Sequence, residues 1–236
     1  MSEISSTGDL MLEVLEKVAQ EGPISVADVA KSCSINRTVA HRLLSTLAGR
    51  SFVRKTDRGY ALGFAIPRLN QLAGPSLQVI ARPFMAELVS RCAESVSLHG
   101  LDGKQAVVLD QVVATGHLVQ VQHTPGSHYP AYLGASGLAL LACQPQPTID
   151  RVLEGVPGSD EIFKRLEGIR SAGFAHSHDE LQNGVHAIAA PLIDSSGACR
   201  GSLALFVPTI RSENLLRFRD EILRAAEQIV GSLDAE

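Results

Sequence analysis

No two cysteines of this sequence are spaced as a pair. Cys33, Cys92, Cys143 and Cys199 are scattered along the chain, which excludes a spacing-defined zinc site or disulfide framework and predicts small core hydrophobes in a reducing compartment. No run of about 18 apolar residues occurs, so no membrane-spanning helix is expected. Met1 to Asp9 is polar and lacks both a basic and an apolar leader region, so secretion is not expected and a cytoplasmic location is. Chemical motifs are equally scarce. There is no Gly-x-x-x-x-Gly-Lys phosphate loop and no dinucleotide fingerprint after a strand. Gly134-Ala135-Ser136-Gly137-Leu138 lacks the closing glycine of a nucleophile elbow. No set of nucleophile, base and orienting group is nominated, so catalytic residues and a cofactor are not expected. His176 and His178 would share one face of a strand, yet spacing supplies no third ligand and no metal is expected. Internal repeats and low-complexity tracts are absent as well.

What is present fits two packed domains. The 236 residues are 45% hydrophobic and 19% charged, a composition that affords a core and argues against global disorder. The net charge of −4 argues against simple nucleic-acid binding until it is resolved along the chain. Between residues 31 and 58, Lys31, Arg37, Arg42, Arg50, Arg54, Lys55 and Arg58 face only Asp57, so this segment carries +6 and the remainder −10. A local basic patch on an acidic protein suits a DNA-docking surface.

The pattern around those charges is helical. Met11, Val14, Leu15 and Val18 recur at amphipathic spacing before Gly22 and Pro23 end the run. A short helix is predicted from Ser25 to Lys31, with Ser25 as N-cap and Asp28 three residues later. After a break at Ser32–Ile35 a third helix starts near Asn36, which is helix–turn–helix spacing. Ala40, Leu43, Leu44 and Leu47 form its buried stripe. Thr38, His41, Arg42 and Ser45 form the outer face, with Arg37 at the N-terminal end. Such side chains hydrogen-bond base edges and phosphates. Phe52–Lys55 and Gly59–Leu62 then flank Thr56-Asp57-Arg58 as a hairpin with a basic tip. A hairpin after a recognition helix is a wing, and Lys55 and Arg58 are its candidate backbone contacts.

Phe64 to Ala73 has helical spacing through Ile66, Leu69 and Leu72, broken at Gly74-Pro75. Ser76–Cys92 is predicted as another helix. Strands are predicted at Ser95–Leu101, Gln105–Val113, His117–His123, Val185–Ile193 and Cys199–Val207, with turns at Asp102-Gly103 and Asp194–Gly197. Helices are predicted at Gly137–Cys143, Ile149–Glu154, Asp160–Ser171 and Glu213–Leu233. The whole reads as an α+β chain of two domains, the second a mainly antiparallel sheet flanked by helices. The expected boundaries are a DNA-binding domain at 8–63, a linker helix at 64–75 and a second domain at 76–236.

Arg37-Thr38-Val39-Ala40-His41-Arg42-Leu43-Leu44-Ser45-Thr46-Leu47 and Tyr60-Ala61-Leu62-Gly63 resemble the winged helix-turn-helix of the isocitrate lyase regulator (IclR) family. Asn36 stands where that family often has proline, and asparagine is a good N-cap. The stretch from Gly173 to Gly197, with Glu180, Gly184, Pro191 and Asp194, resembles the signature of the same family's effector domain, as does Ala135-Ser136-Gly137 before Leu138. Leu138 replaces a common lysine. The resemblance implies a GAF-like domain that binds a small effector, expected to be an organic acid or aromatic catabolite. It implies contacts at Gly134, Ala135 and Ser136, where a helix start offers backbone N–H donors, and at Asp194, Ser202 and Ala204 opposite. Asp194 has a competing role as cap of its own turn. His99, His117 and Tyr129 are further candidate wall residues. Double-stranded operator DNA, an effector and a second copy of the chain, as homodimer or homotetramer, are the implied partners. Two other classes stay open: an architectural DNA-binding protein, and an enzyme or ligand-binding GAF-like domain fused to a winged helix.

Overall fold

The structure, a computed structural model, describes residues 5–72 and 76–235. The chain divides into two compact units, the boundary falling between Ser76 and Leu77. In the first, α1 (Ser6–Glu21) begins at Ser5, whose hydroxyl accepts from the Gly8 N–H, and ends at Gly22. It buries Val14 and Val18. In α2 (Val26–Ser32) the Ser25 hydroxyl accepts the Asp28 N–H at 3.2 Å and donates to the Asp28 carboxylate at 2.6 Å; Ser25 is the predicted N-cap, but Asp28 binds its hydroxyl and not the backbone N–H that would close a capping box. Asn36 caps α3 (Arg37–Gly49) by accepting the Val39 N–H at 2.8 Å. Ala40, Leu43, Leu44 and Leu47 are buried against α1 and α2; cutting Leu44 to alanine removes about 2–5 kcal/mol from this small core.

The wing is β1 (Val53–Thr56) antiparallel to β2 (Gly59–Leu62). Tyr60 of β2 also bridges Ile24, so the wing is stitched to the loop between α1 and α2. Gly59 sits at φ +133°, and a Cβ there would lie 2.2 Å from the Ile24 carbonyl oxygen; only glycine fits. The connector helix is α4 (Ala65–Leu72). The expected helix end at Ala73 and the break at Gly74–Pro75 lie outside the described residues.

The second unit is a six-stranded, wholly antiparallel sheet. Its strands are β3 (Ser95–Asp102), β4 (Gln105–Val112), β5 (His128–Pro130), β6 (Ala175–His178), β7 (Val185–Ile193) and β8 (Cys199–Pro208), in the order β5-β4-β3-β8-β7-β6. On one face pack α5 (Leu77–Cys92) and α9 (Arg219–Leu233), against Leu98, Ile188, Leu203 and Leu205. On the other pack α6 (Gly134–Ala142), α7 (Gln146–Leu153) and α8 (Ser159–Ala172), against Ala187, Ala189, Ala204 and Phe206. The period of two along β7 and β8 assigns alternate residues to the two cores. Every residue of α6 is buried. At Gly137 a Cβ would come 2.6 Å from the Ala131 carbonyl oxygen, so this glycine lets α6 lie directly on the chain before it.

Several expectations change: α7 begins at Gln146 and not Ile149, and β6 is a strand beyond the five predicted. Residues 117–123 form no strand. Val121 is buried, but Leu118 and Val119 are both exposed, so burial does not alternate. Side chains satisfy this backbone in place of a ladder: Gln111 donates to the Val121 carbonyl and accepts the His123 N–H, and Arg211 donates to the Val119 carbonyl. The sheet instead takes β5, three residues ending in a proline, as its edge. Helix α6 starts at Gly134, three residues earlier than the apolar run suggests. The last helix is also split: Thr209–Phe218 winds as 3-10 before α9 begins. The i, i+3 pair Leu215 and Phe218, both buried, suits either winding.

Candidate functional site

Arg37, Thr38, His41, Arg42 and Ser45 are all exposed on the outer face of α3. The buried stripe at Ala40, Leu43, Leu44 and Leu47 forces them there, because residues three and four apart share a helix face. Arg37, Thr38, His41 and Arg42 line one concave depression with Val26. Thr46 turns its hydroxyl back onto the Arg42 carbonyl and does not compete for that surface. The thirteen-residue helix is about 20 Å long, a length and width that a DNA major groove admits. Lys55 and Arg58 are exposed at the wing tip, where Thr56 fixes the turn by accepting the Arg58 N–H and donating to the Gly59 carbonyl.

In the second unit the first turn of α6 lies over a narrow cavity of about 10 Å³, lined by His123, Gly134, Ala135, Ser136, Ser177 and Phe206 among others. That is room for about one water. The helix-start donors expected to be free are engaged. The Ala135 N–H donates to Ser177 Oγ at 3.0 Å, and the Gly134 N–H to the Glu180 carboxylate at 3.3 Å. Arg165 grips both oxygens of the same carboxylate at 2.6 and 3.0 Å and donates to the His176 carbonyl at 2.8 Å. An internal carboxylate thus occupies the position that a helix start offers an anion. It is carried by the loop between β6 and β7, whose Leu181 and Gln182 wall the cavity.

Beneath that turn the polar groups are buried and neutral. Tyr129 and Ser136 share a hydroxyl–hydroxyl bond of 2.6 Å, and Ser202 Oγ donates to the Ser136 carbonyl at 3.0 Å. His99 is fully buried beside the rings of Tyr129 and Phe206, and neither ring nitrogen has a hydrogen-bond partner; Ser97 Oγ and His123 Nδ1 are also unpartnered. Burial pulls the His99 pKa down to about 3, aided by repulsion from His123, and burial lowers His123 too.

Of the residues expected at this site, Gly134, Ala135 and Ser136 line the cavity, Ser202 supports Ser136 from below, and Ala204 is fully buried in the same core. Tyr129 joins through Ser136, His99 lies behind it, and His117 lies in the irregular 117–123 segment. Asp194 is elsewhere and takes the competing role. Its Oδ1 accepts from the Ser196 N–H, the Ser196 hydroxyl and the Ala198 N–H, and these bonds, the Ser196 hydroxyl first, hold its carboxyl below the usual range. Ser177, Glu180, Arg165 and His123 were not singled out for this site by the sequence pattern. Glu180 does fall inside the Gly173–Gly197 stretch, but no spacing rule relates it to a helix start 46 residues earlier. His176 and His178 do share the exposed face of β6, and His178 Nδ1 meets His186 Nδ1 at 2.7 Å. No group of three metal-ligating side chains forms among the described residues.

A helix–turn–helix with a basic outer face and a wing, in one chain with a sheet domain that seats a carboxylate at a buried helix start, defines a DNA-binding regulator with a sensory domain. The comparisons with known proteins give its family. The profile of the IclR helix-turn-helix domain matches residues 11–57, and that of the bacterial transcriptional regulator IclR C-terminal domain matches residues 71–231. The chain belongs to the IclR family of transcriptional regulators, DNA-binding proteins with an effector-binding C-terminal domain. It is 31% identical over 193 residues to an HTH-type transcriptional regulator of Mycobacterium tuberculosis, covering 77% of this chain and 73% of that one. It is 24% identical to the regulator KipR of Bacillus subtilis, covering 87% and 88%. Among solved structures, an IclR homolog from Microbacterium hydrocarbonoxydans complexed with 4-hydroxybenzoate aligns at a TM-score of 0.83 and 19% identity, over 98% of this chain and all of the other. A regulator from Alicyclobacillus acidocaldarius aligns at 0.77 and 22% identity, over 98% and 99%.

Proposed function

We propose that the protein reads an operator through Arg37, Thr38, His41, Arg42 and Ser45, gains affinity from Lys55 and Arg58, and changes its DNA affinity when a small carboxylate binds at the first turn of α6. The observation that carries the DNA reading is the convergence of Arg37, Thr38, His41 and Arg42 on one exposed depression of α3. An arginine contacting a base bidentately contributes about 1–3 kcal/mol of discrimination. The test uses DNA selected from a random pool by the wild-type protein, with binding followed by fluorescence anisotropy. The Arg37→Ala/Arg42→Ala variant is expected to lose at least about tenfold in affinity for the selected site; unchanged affinity overturns the assignment.

The effector reading rests on Glu180. A carboxylate effector takes the donors of Gly134 and Ala135 once Glu180 and the loop that carries it move, with Ser136, Ser177 and His123 facing the ligand and Ser202 and Ala204 framing it. Because the cavity holds about one water as it stands, binding and loop movement are coupled, and a ligand shifts DNA affinity only through such a difference between states. The 4-hydroxybenzoate bound by the structural neighbour is a carboxylate on an apolar ring, and Leu181, Val185, Ala187 and Phe206 give this site a matching apolar lining. Calorimetry with 4-hydroxybenzoate and small aliphatic and aromatic carboxylates tests this reading. Glu180→Gln is expected to raise the affinity of whichever acid binds; lowered or unchanged affinity removes Glu180 as a competitor. The reading places the protein in the cytoplasm as a homo-oligomer, and exposed Phe64, Ile66 and Leu69 along the α4 segment support self-association.

A further inference from the structure

The other end of α6 holds a second constellation, independent of the effector reading. Helix α6 is capped by Cys143, and β8 opens at Cys199. The register of β7 and β8 sets Cys199 opposite Ile193. Ile193 and Cys143 line one surface cavity of about 340 Å³, together with Gln144, Arg170 and Gly173. Cys199 Sγ points at the last turn of α6, 3.8 Å from the Leu140 carbonyl oxygen, and is 3.5 Å from that of Gly201. The Gln144 side chain donates to the same Leu140 carbonyl. Three elements therefore bring the two thiols near enough to perturb each other's ionisation, Cys199 reaching the turn that Cys143 caps. Both are half-buried and Cys143 lines the open cavity, so a small oxidant has a route to the pair.

Their proximity makes the two sulfurs unequal. The neighbouring Cys143 thiol holds Cys199 below its ordinary range, against burial and the Asp194 carboxylate. Cys143 itself is pushed up, by the nearness of Cys199 first and by burial next. An attacking thiolate beside a protonated resolving thiol is the division of labour that thiol oxidation needs. The remaining cysteines offer the contrast. Cys33 and Cys92 are buried, and burial raises both, Cys92 to about 11.

We propose that Cys143 and Cys199 form a hydroperoxide-sensitive dithiol that closes to an intramolecular disulfide. In the first step the Cys199 thiolate attacks one oxygen of hydrogen peroxide. The O–O bond breaks, the departing hydroxide takes a proton to become water, and Cys199 becomes a sulfenic acid. In the second step the Cys143 sulfur attacks the Cys199 sulfur. The S–O bond breaks, and the leaving hydroxide accepts the Cys143 proton as a second water. Two thiols are oxidised by two electrons and one peroxide is reduced. The product ties the last turn of α6 to the start of β8.

The test treats the full-length protein with a small excess of hydrogen peroxide, blocks free thiols with N-ethylmaleimide, and maps unreduced peptides by mass spectrometry. A Cys143–Cys199 cross-linked peptide is expected, reversed by dithiothreitol, with Cys199 losing alkylation at least about tenfold faster than Cys33 or Cys92. With Cys143→Ser, dimedone is expected to label Cys199; with Cys199→Ser, Cys143 should stay unlabelled. Oxidation of Cys33 or Cys92 first, only intermolecular disulfides, or full alkylation of Cys143 and Cys199 after peroxide would overturn the proposal. Mapping of the wild-type chain decides the matter even if either serine variant fails to fold.

Discussion

His99 is the residue whose chemistry the fold changes most. In an unfolded chain its imidazole takes a proton below about pH 6.5; in the folded domain its pKa falls to about 3 because burial denies it solvent. Between those values the unfolded state binds a proton that the folded state refuses. Stability contributed by keeping His99 neutral is therefore complete above about pH 6.5 and is lost progressively as pH falls toward 3. One such group gives a slope of at most about 1.4 kcal/mol per pH unit, and His123, lowered by burial as well, adds in the same sense. Chemical denaturation from pH 7 to pH 4 is expected to show this loss, and His99→Leu to flatten it. An unaltered slope in that variant would mean that His99 is protonated in place. The sequence marked His99 only as one candidate wall residue. Its burial depends on strands far apart in the chain, β3 against β8 and β5 near the α6 turn, which no local pattern reveals.

At the scale of elements, α3 and the wing are proposed to divide the work at DNA. The helix presents groups suited to base edges, whereas Lys55 and Arg58 on the wing are the proposed phosphate contacts. Phosphate contacts release counterions, so each one contributes roughly 0.9 to the slope of log affinity against log salt. Lys55→Ala and Arg58→Ala are expected to weaken selected and unrelated DNA alike and to flatten that slope. A salt titration that leaves the slope intact but alters sequence preference would give the wing a base-reading role. These elements were legible because each rests on neighbours in sequence: the Asn36 cap, the Leu43, Leu44 and Leu47 stripe, the Asp57-Arg58 turn. Residues 117–123 misled for the complementary reason. Their alternation is genuine, but Gln111 and Arg211 meet their backbone before any strand does, and a side chain arriving from elsewhere leaves no period in the segment it satisfies.

For the whole molecule, one winged helix covers few base pairs, and a symmetric pair doubles the contacts on a palindromic site. A dimer or larger assembly is expected by light scattering at micromolar concentration without DNA, and Phe64→Glu, on an exposed aromatic next to α4, is expected to weaken it. A monomer with and without DNA would leave that apolar surface without a partner of its own kind. The class of protein was set by the sequence alone. A basic segment in an acidic chain, helix–turn–helix spacing and the Gly173–Gly197 stretch are local or compositional signals, and folding cannot alter them. The tertiary structure decided what occupies the start of α6. It placed Glu180 on the first turn of α6, left Asp194 in its own turn, and brought Cys199 to Cys143. Each of these depends on which strands are neighbours in an antiparallel sheet, and the burial of both sheet faces fixes that pairing, whereas the spacing of residues along the chain does not.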